Sequence, residues 1–340
     1  MFIAFILAAG LSSGAGSSSD SSSFPGSNSP GSSGTTSASL GAGSSSGSTS
    51  SGSSGSSSGS GSSSSPSSGS GSLSGASSDS SSGGSCLTSG IPAFDHVVLV
   101  IEENHNFGEI IGSNNGDPYI NYLANRGVLF TNSFAITHPS EPNYFALFTG
   151  STQGISDDNN YNLPGPSLAK ELAFAGKTFV GYIETSSPRK HNPWESFSDS
   201  QNVEQDFSSF PSDFTQLPSV SWVIPDMNDD MHDGTVQQGD QWIQSNMSAY
   251  ATWAAAHNSL LIVTWDEDDN GNNQIATIFY GANLKPGRYS EKINHYNTLA
   301  TIETMFGIPL LNNAATAAPI ADVWNCSSGS SSGSGTSRSR

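Results

Sequence analysis

From residue 91 onward the chain alternates short apolar runs with amphipathic stretches. His96-Val97-Val98-Leu99-Val100-Ile101 is a continuous apolar run, which predicts a buried strand. Tyr119–Arg126 has helical spacing and stops at Gly127, a breaker suited to a helix end. Val128–Phe134, Thr178–Ile183, Ser219–Ile224, Leu260–Trp265 and Ile275–Tyr280 predict further strands. Pro166–Ala175, Gln238–His257 and Asn297–Phe306 predict helices, the first and last closed by Gly176 and Gly307. After the second strand, Pro139 turns the chain into a helix that starts near Ser140 and ends at Gly150. Strands alternating with helices predict an α/β fold, a mostly parallel sheet with helices on both faces.

Composition confines this pattern to one part of the chain. Of 340 residues, 11–90 and 327–340 are almost entirely Ser and Gly. Such segments cannot bury enough apolar surface to offset their ordering entropy, so a disordered linker and a disordered tail are expected. The remaining 91–326 suffice for a single domain. Residues 1–10 begin with an apolar run, Phe2–Ala9, and read as a signal peptide, with secretion or cell-surface display as the consequence. No other apolar run approaches the ~20 residues of a membrane span. The two cysteines, Cys86 and Cys326, bracket the domain. Domain ends often lie close together, so a disulfide between them is expected in an oxidising compartment.

Charge narrows the chemistry. The chain carries 10 Lys and Arg against 29 Asp and Glu, and the surplus lies wholly within 91–326. Nucleic-acid binding is excluded, because phosphate contacts need cations that are scarce here. A domain this acidic that acts on phosphate needs a local positive charge, such as a metal.

Three predicted strands run straight into acids. Ile101 leads to Glu102-Glu103-Asn104-His105, Ile224 to Pro225-Asp226 and then Asp229, Asp230 and His232, and Trp265 to Asp266-Glu267-Asp268-Asp269. In open α/β sheets ligands bind at the carboxyl ends of strands, and hard oxygen donors suit Mg²⁺, Ca²⁺ or Mn²⁺, with His admitting Zn²⁺ or Fe. The bland alternative is that acids merely open solvated loops. Asp266–Gly271 also matches the start of a calcium-sensor loop, but its twelfth position is Thr277 and a strand precedes it, which argues against that motif. Ser140 stands near a helix N-terminus, where a phosphate is favoured and a nearby metal would activate the hydroxyl. It could equally be only an N-cap.

Taken in order, five pieces resemble the phosphoesterase family of acid phosphatases and phospholipases C, within the alkaline-phosphatase superfamily. They are Val98–Asn104, His138–Tyr144 with Thr149-Gly150, Ile224–Asp233, Thr264–Glu267 and Asn294–Tyr296. The resemblance implies an alkaline-phosphatase-like domain and a divalent metal held by Glu103, Asn104, Asp266 and Glu267. It implies Ser140 as nucleophile, His232 and His295 as catalytic histidines, and His138, Asn143, Asp226 and Asp233 near substrate. Arg126, Arg189 and Arg288 belong to no matched motif, and the basic cluster Arg189-Lys190-His191 reads as a solvated loop, with a substrate loop as the alternative. The expected activity is a secreted, metal-dependent acid phosphatase that hydrolyses phosphate monoesters, a lipid phosphate among them, through a phosphoserine. The alternatives are a phosphodiesterase of phospholipase C type, a non-catalytic cation-binding surface protein, and a metal-free serine hydrolase.

Overall fold

The computed structural model describes residues 86–112, 116–269 and 271–326. The expected signal peptide at 1–10, residues 11–85 of the expected 11–90 linker and the tail at 327–340 lie outside the described residues; residues 86–90 of that linker are instead part of the fold, where Cys86 bridges to Pro92 and the Gly90 N–H donates to the Leu87 carbonyl. Cys86, the first described residue, is bonded to Cys326 with their Cα atoms 5.8 Å apart.

The elements, in chain order, are β1 (His96–Glu102), α1 (Phe107–Ile110), α2 (Pro118–Arg126), β2 (Val128–Phe134), α3 (Ser140–Thr149), α4 (Leu168–Phe174), β3 (Phe179–Ile183), β4 (Glu204–Asp206), β5 (Val220–Ile224), α5 (Val236–Ala256), β6 (Ser259–Trp265), β7 (Gln274–Gly281), β8 (Gly287–Tyr289), β9 (Ile293–Asn294) and α6 (His295–Phe306). They form one sheet in the order β4-β3-β5-β1-β6-β7-β2-β8, with β9 beside β2. The pairings around β1, β3 and β5 are parallel. Only β7 runs against its neighbours β6 and β2. The cause is connection length: residues 266–273 are too few for a parallel crossover, which needs a dozen or more.

Period-two alternation splits β1 between two cores. Val97, Leu99 and Ile101 pack with Tyr144, Phe145 and Phe148 of α3, Leu172 of α4 and Leu299 of α6. Val98 and Val100 face Ile120 and Leu123 of α2 and Ile243, Met247 and Tyr250 of α5. The sheet is thus covered on both sides, as its continuous apolar strands require. Among the described residues no helix is long and apolar enough to cross a membrane.

The end of α3 is set by Gly150. It adopts φ +72°, and a Cβ there would lie 2.2 Å from the Leu311 carbonyl oxygen. A left-handed cap in such tight contact leaves glycine as the fitting residue. This stop fixes the length of the helix whose other end carries Ser140.

Candidate active site

Parallel pairing brings the acids together. Glu102 stands opposite Trp265 in the β1–β6 register, so Glu103 and Asp266 leave the sheet side by side. The Asp266 N–H donates to the Glu102 carbonyl at 3.0 Å. Asn104 takes a left-handed φ of 57°, which Asn tolerates better than most residues, and its N–H donates to Asp266 Oδ1 at 3.3 Å. Ser140, the first residue of α3, faces this edge. Its Oγ lies 3.1 Å from Glu103 Oε2 and 3.1 Å from Glu267 Oε1, so the hydroxyl donates to one or the other. Ser140, Glu103, Asp266 and Glu267 are all buried.

Three buried carboxylates around one hydroxyl repel one another. Burial, reinforced by Glu103 and Glu267, holds the Asp266 carboxyl well above its ordinary range. Burial pushes Glu267 up to about 7, with the neighbouring His138 pulling the other way. Burial also works to raise Glu103, but His191 and the Tyr144 hydroxyl outweigh it and hold the group at about 2. The Tyr144 hydroxyl donates to Glu103 Oε1 at 2.5 Å. His191 Nε2 lies 2.9 Å from the same oxygen, and its Nδ1 lies 3.4 Å from Asp230 Oδ2. Burial disfavours the His191 cation, yet Glu103 and Asp230 raise it to about 9.

His191 therefore corrects the expectation of a solvated loop: it is fully buried and sandwiched between two acids. No matched motif contains it. The available signal was that three adjacent basic residues, Arg189-Lys190-His191, are a large share of the few cations in this chain. The same loop brings Lys190 Nζ to 3.4 Å from His232 Nε2 and to 3.4 Å from Asp158 Oδ2. Arg189 reaches Glu141 Oε1 at 3.5 Å. Asp230 lies inside the matched piece Ile224–Asp233, which assigned it no role.

Other expected residues are placed as follows. His232, on the open side, pairs through Nδ1 with Asp233 Oδ1 at 2.8 Å, so Asp233 is placed to orient this histidine. His138 pairs with Glu267 Oε2 at 2.5 Å and lies 3.6 Å from Asp268 Oδ1. Asn143 braces the turn before Ser140. Its Oδ1 accepts the N–H groups of Ile136 and Thr137, and its Nδ2 donates to the carbonyls of Thr137 and Pro139, which leaves it no spare group for substrate. His295 is buried behind Asp266, to whose carbonyl its Nε2 donates at 2.6 Å. Burial pulls it down to about 4, so it is a neutral support and not a source of charge. Asp226 does not join the Ser140 group. It lies with Glu184 and Asp229.

The donor set fits a hard divalent cation. Glu103, Asp266 and Glu267 converge from two strand ends, and Asp266 Oδ2 is buried without a hydrogen-bond partner. Glu103, His191 and Asp230 form an adjoining group whose donor atoms lie within 4.8 Å of one another. These acidic clusters can hold a metal ion.

The phosphoesterase family model matches residues 113–309. The chain is 47% identical over 255 residues to the phosphatidylinositol-3-phosphatase of Mycobacterium tuberculosis, covering 69% of this chain and 85% of that one. It is 27% identical over 267 residues to an acid phosphatase of Aspergillus fumigatus, covering 68% of this chain and 59% of that enzyme, so it spans about three-fifths of the fungal relative. A protein of the alkaline phosphatase superfamily from Vibrio parahaemolyticus superposes with a TM-score of 0.52 at 13% identity, covering 67% of this chain and 70% of that one. The lipoteichoic acid synthase LtaP from Listeria monocytogenes gives 0.52 at 10% identity, covering 69% and 80%. At such identities these two establish the fold alone.

Proposed function

The chain belongs to the phosphoesterase family and is a hydrolase of phosphoric esters, and from that premise we propose that it is a metal-dependent phosphomonoesterase using Ser140 as nucleophile. The observation that carries this reading is the Ser140 hydroxyl at the start of α3, 3.1 Å from each of two buried carboxylates on different strand ends.

Glu103, Asn104, Asp266 and Glu267 would hold the ion, which would supply positive charge toward phosphate oxygens and lower the pKa of the serine hydroxyl. Ser140 Oγ attacks phosphorus, and its proton leaves to a neighbouring carboxylate. The Oγ–P bond forms as the bond from phosphorus to the leaving oxygen breaks. His232, oriented by Asp233, gives that oxygen a proton. Water then attacks the phosphoserine, inorganic phosphate departs, and Ser140 recovers its hydroxyl. Asn143 and His295 act by holding the Ser140 turn and Asp266 in place. Lys190, beside His232, contributes positive charge at the mouth.

The substrate class we assign is the phosphate monoester, phosphorylated inositol lipids included, by extension from the relative named a phosphatidylinositol-3-phosphatase. Export of the chain is supported by the Cys86–Cys326 disulfide, since such bonds persist in oxidising compartments. The test compares an aryl phosphate monoester with the matching diester, with and without chelator. Faster monoester turnover that chelation abolishes and a divalent metal restores is the expected result. Preferential diester turnover, or turnover indifferent to chelation, overturns the reading.

A further inference from the structure

The start of α3 takes its cap from another part of the chain. Its own N-cap residue, Pro139, makes no side-chain cap hydrogen bond. Asp158, on the segment between α3 and α4, supplies one instead. Its Oδ1 accepts the N–H of Glu141, the residue after Ser140, at 2.9 Å. Its other oxygen, Oδ2, lies 3.4 Å from Lys190 Nζ, and that Nζ lies 3.4 Å from His232 Nε2. One carboxylate therefore links the helix that carries Ser140 to the lysine beside His232.

The neighbours of these two residues are committed elsewhere. Arg189 reaches Glu141 Oε1 at 3.5 Å and donates to the Tyr161 carbonyl and to Asn160 Oδ1, so it fastens segment 160–161 to α3. Asp157 accepts the Tyr161 hydroxyl and the Asn159 N–H, within its own loop. His191 is buried between Glu103 and Asp230. That leaves Lys190, of the three basic residues in this turn, with its charge at the mouth. The pair it forms is not built for stability. The Lys190 and Asp158 side chains are 21% and 28% exposed, and ion pairs at such positions contribute little to folding. A charge fixed beside a reacting group acts on the reaction instead.

We propose, on the premise that Ser140 is the nucleophile, that Lys190 selects the phosphate monoester over the diester, and that Asp158 is the positioning residue that holds Lys190 in register with the start of α3. A monoester carries close to two negative charges at neutral pH, and a diester carries one. The ammonium meets the additional charged oxygen of the monoester, an atom that a diester covers with its second ester group. His232, held at Nδ1 by Asp233, keeps Nε2 for the leaving oxygen. Lysine suits this place better than arginine. It is a compact charge on a flexible stem, so it can turn from His232 to the phosphate without giving up a fork of hydrogen bonds.

The test is steady-state kinetics of the full metal-loaded chain on an aryl phosphate monoester and the matching diester at neutral pH. Removing one positioned donor costs about 10²-fold or more in rate, so Lys190→Met should lower monoester kcat/KM by about 10²-fold and diester kcat/KM by less than about tenfold. Lys190→Arg, which keeps the charge, should recover part of the preference. Asp158→Asn keeps an oxygen for the Glu141 N–H and loses the ion pair, and it should raise KM for the monoester more than for the diester. Where diester turnover by the native chain is too slow to read, inhibition by inorganic phosphate takes its place, and it should weaken at least about tenfold in Lys190→Met. Equal proportional falls on the two substrates, or unchanged inhibition by phosphate, overturn the selection by Lys190. Equal rises in the two KM values in Asp158→Asn would reduce Asp158 to a helix cap. The premise fails separately, because the native chain would then show no phosphoryl adduct on Ser140 when turnover is quenched with acid.

Discussion

Glu303 offers a direct test of how burial acts on charge in this fold. It lies on α6, buried, with Oε1 accepting the Leu311 N–H at 3.0 Å and Oε2 without a hydrogen-bond partner. Burial raises its carboxyl from 4.5 to about 8, with Glu171 adding to the rise and the Leu311 N–H opposing it. The sign follows from linkage. The unfolded chain loses this proton near 4.5, while the folded chain keeps it to about 8, so the folded state binds more protons across that window. Stability should therefore fall as pH rises through it. The separation is about 3.5 on the pH scale, and at ~1.4 kcal/mol per pH unit it amounts to ~5 kcal/mol at most. Water reaching Oε2 on ionisation would reduce this, so ~2–5 kcal/mol is expected. Glu303→Gln keeps the acceptor for Leu311 and removes the ionisation. Urea denaturation should give equal stabilities for the two proteins near the acid end of the window and a more stable Gln variant above its alkaline end. A difference between them that does not change with pH would refute the reasoning.

Two further outcomes follow from other contacts. His191→Gln leaves Glu103 and Asp230 buried without their shared cation, and breaking such a pair costs about 3–5 kcal/mol. Urea denaturation should show the loss, and an unchanged midpoint would mean that His191 is not paired as described. The Cys86–Cys326 bond joins residues 240 apart in sequence, and the chain-entropy account credits a loop of this length with about 5 kcal/mol. Replacing both cysteines with Ser should lower the thermal midpoint, and equal midpoints would show that the ends of the domain need no tether.

Much of the scaffold was legible because its signals are local. Val97–Ile101 and Leu260–Val263 are apolar throughout, and only a strand covered on both faces wants that. Gly150 and Gly307 mark helix ends at positive φ, 72° and 64°. β4, β8 and β9 escaped notice because two or three residues carry no periodicity, and β4 is exposed along its length. The meeting of Glu103, Asp266 and Ser140 could be anticipated because strand ends share one edge of a parallel sheet. His191 could not, since its burial depends on a turn of 3₁₀ helix, Arg189–His191, packing across the chain against Tyr144, whose ring it stacks upon. Asn143 and His295 fell near the site in sequence, but which of their atoms were already engaged depends on three-dimensional contacts that spacing does not encode.

The central claim is that Ser140 carries the phosphoryl group. Acid-quenching the metal-loaded enzyme during turnover of an aryl phosphate, followed by peptide mass spectrometry, tests it most directly. The account predicts that the peptide containing Ser140 gains the mass of one phosphoryl group, and that Ser140→Ala abolishes both this adduct and turnover while the protein remains folded. Turnover that persists in Ser140→Ala, or an adduct on another residue, would contradict it.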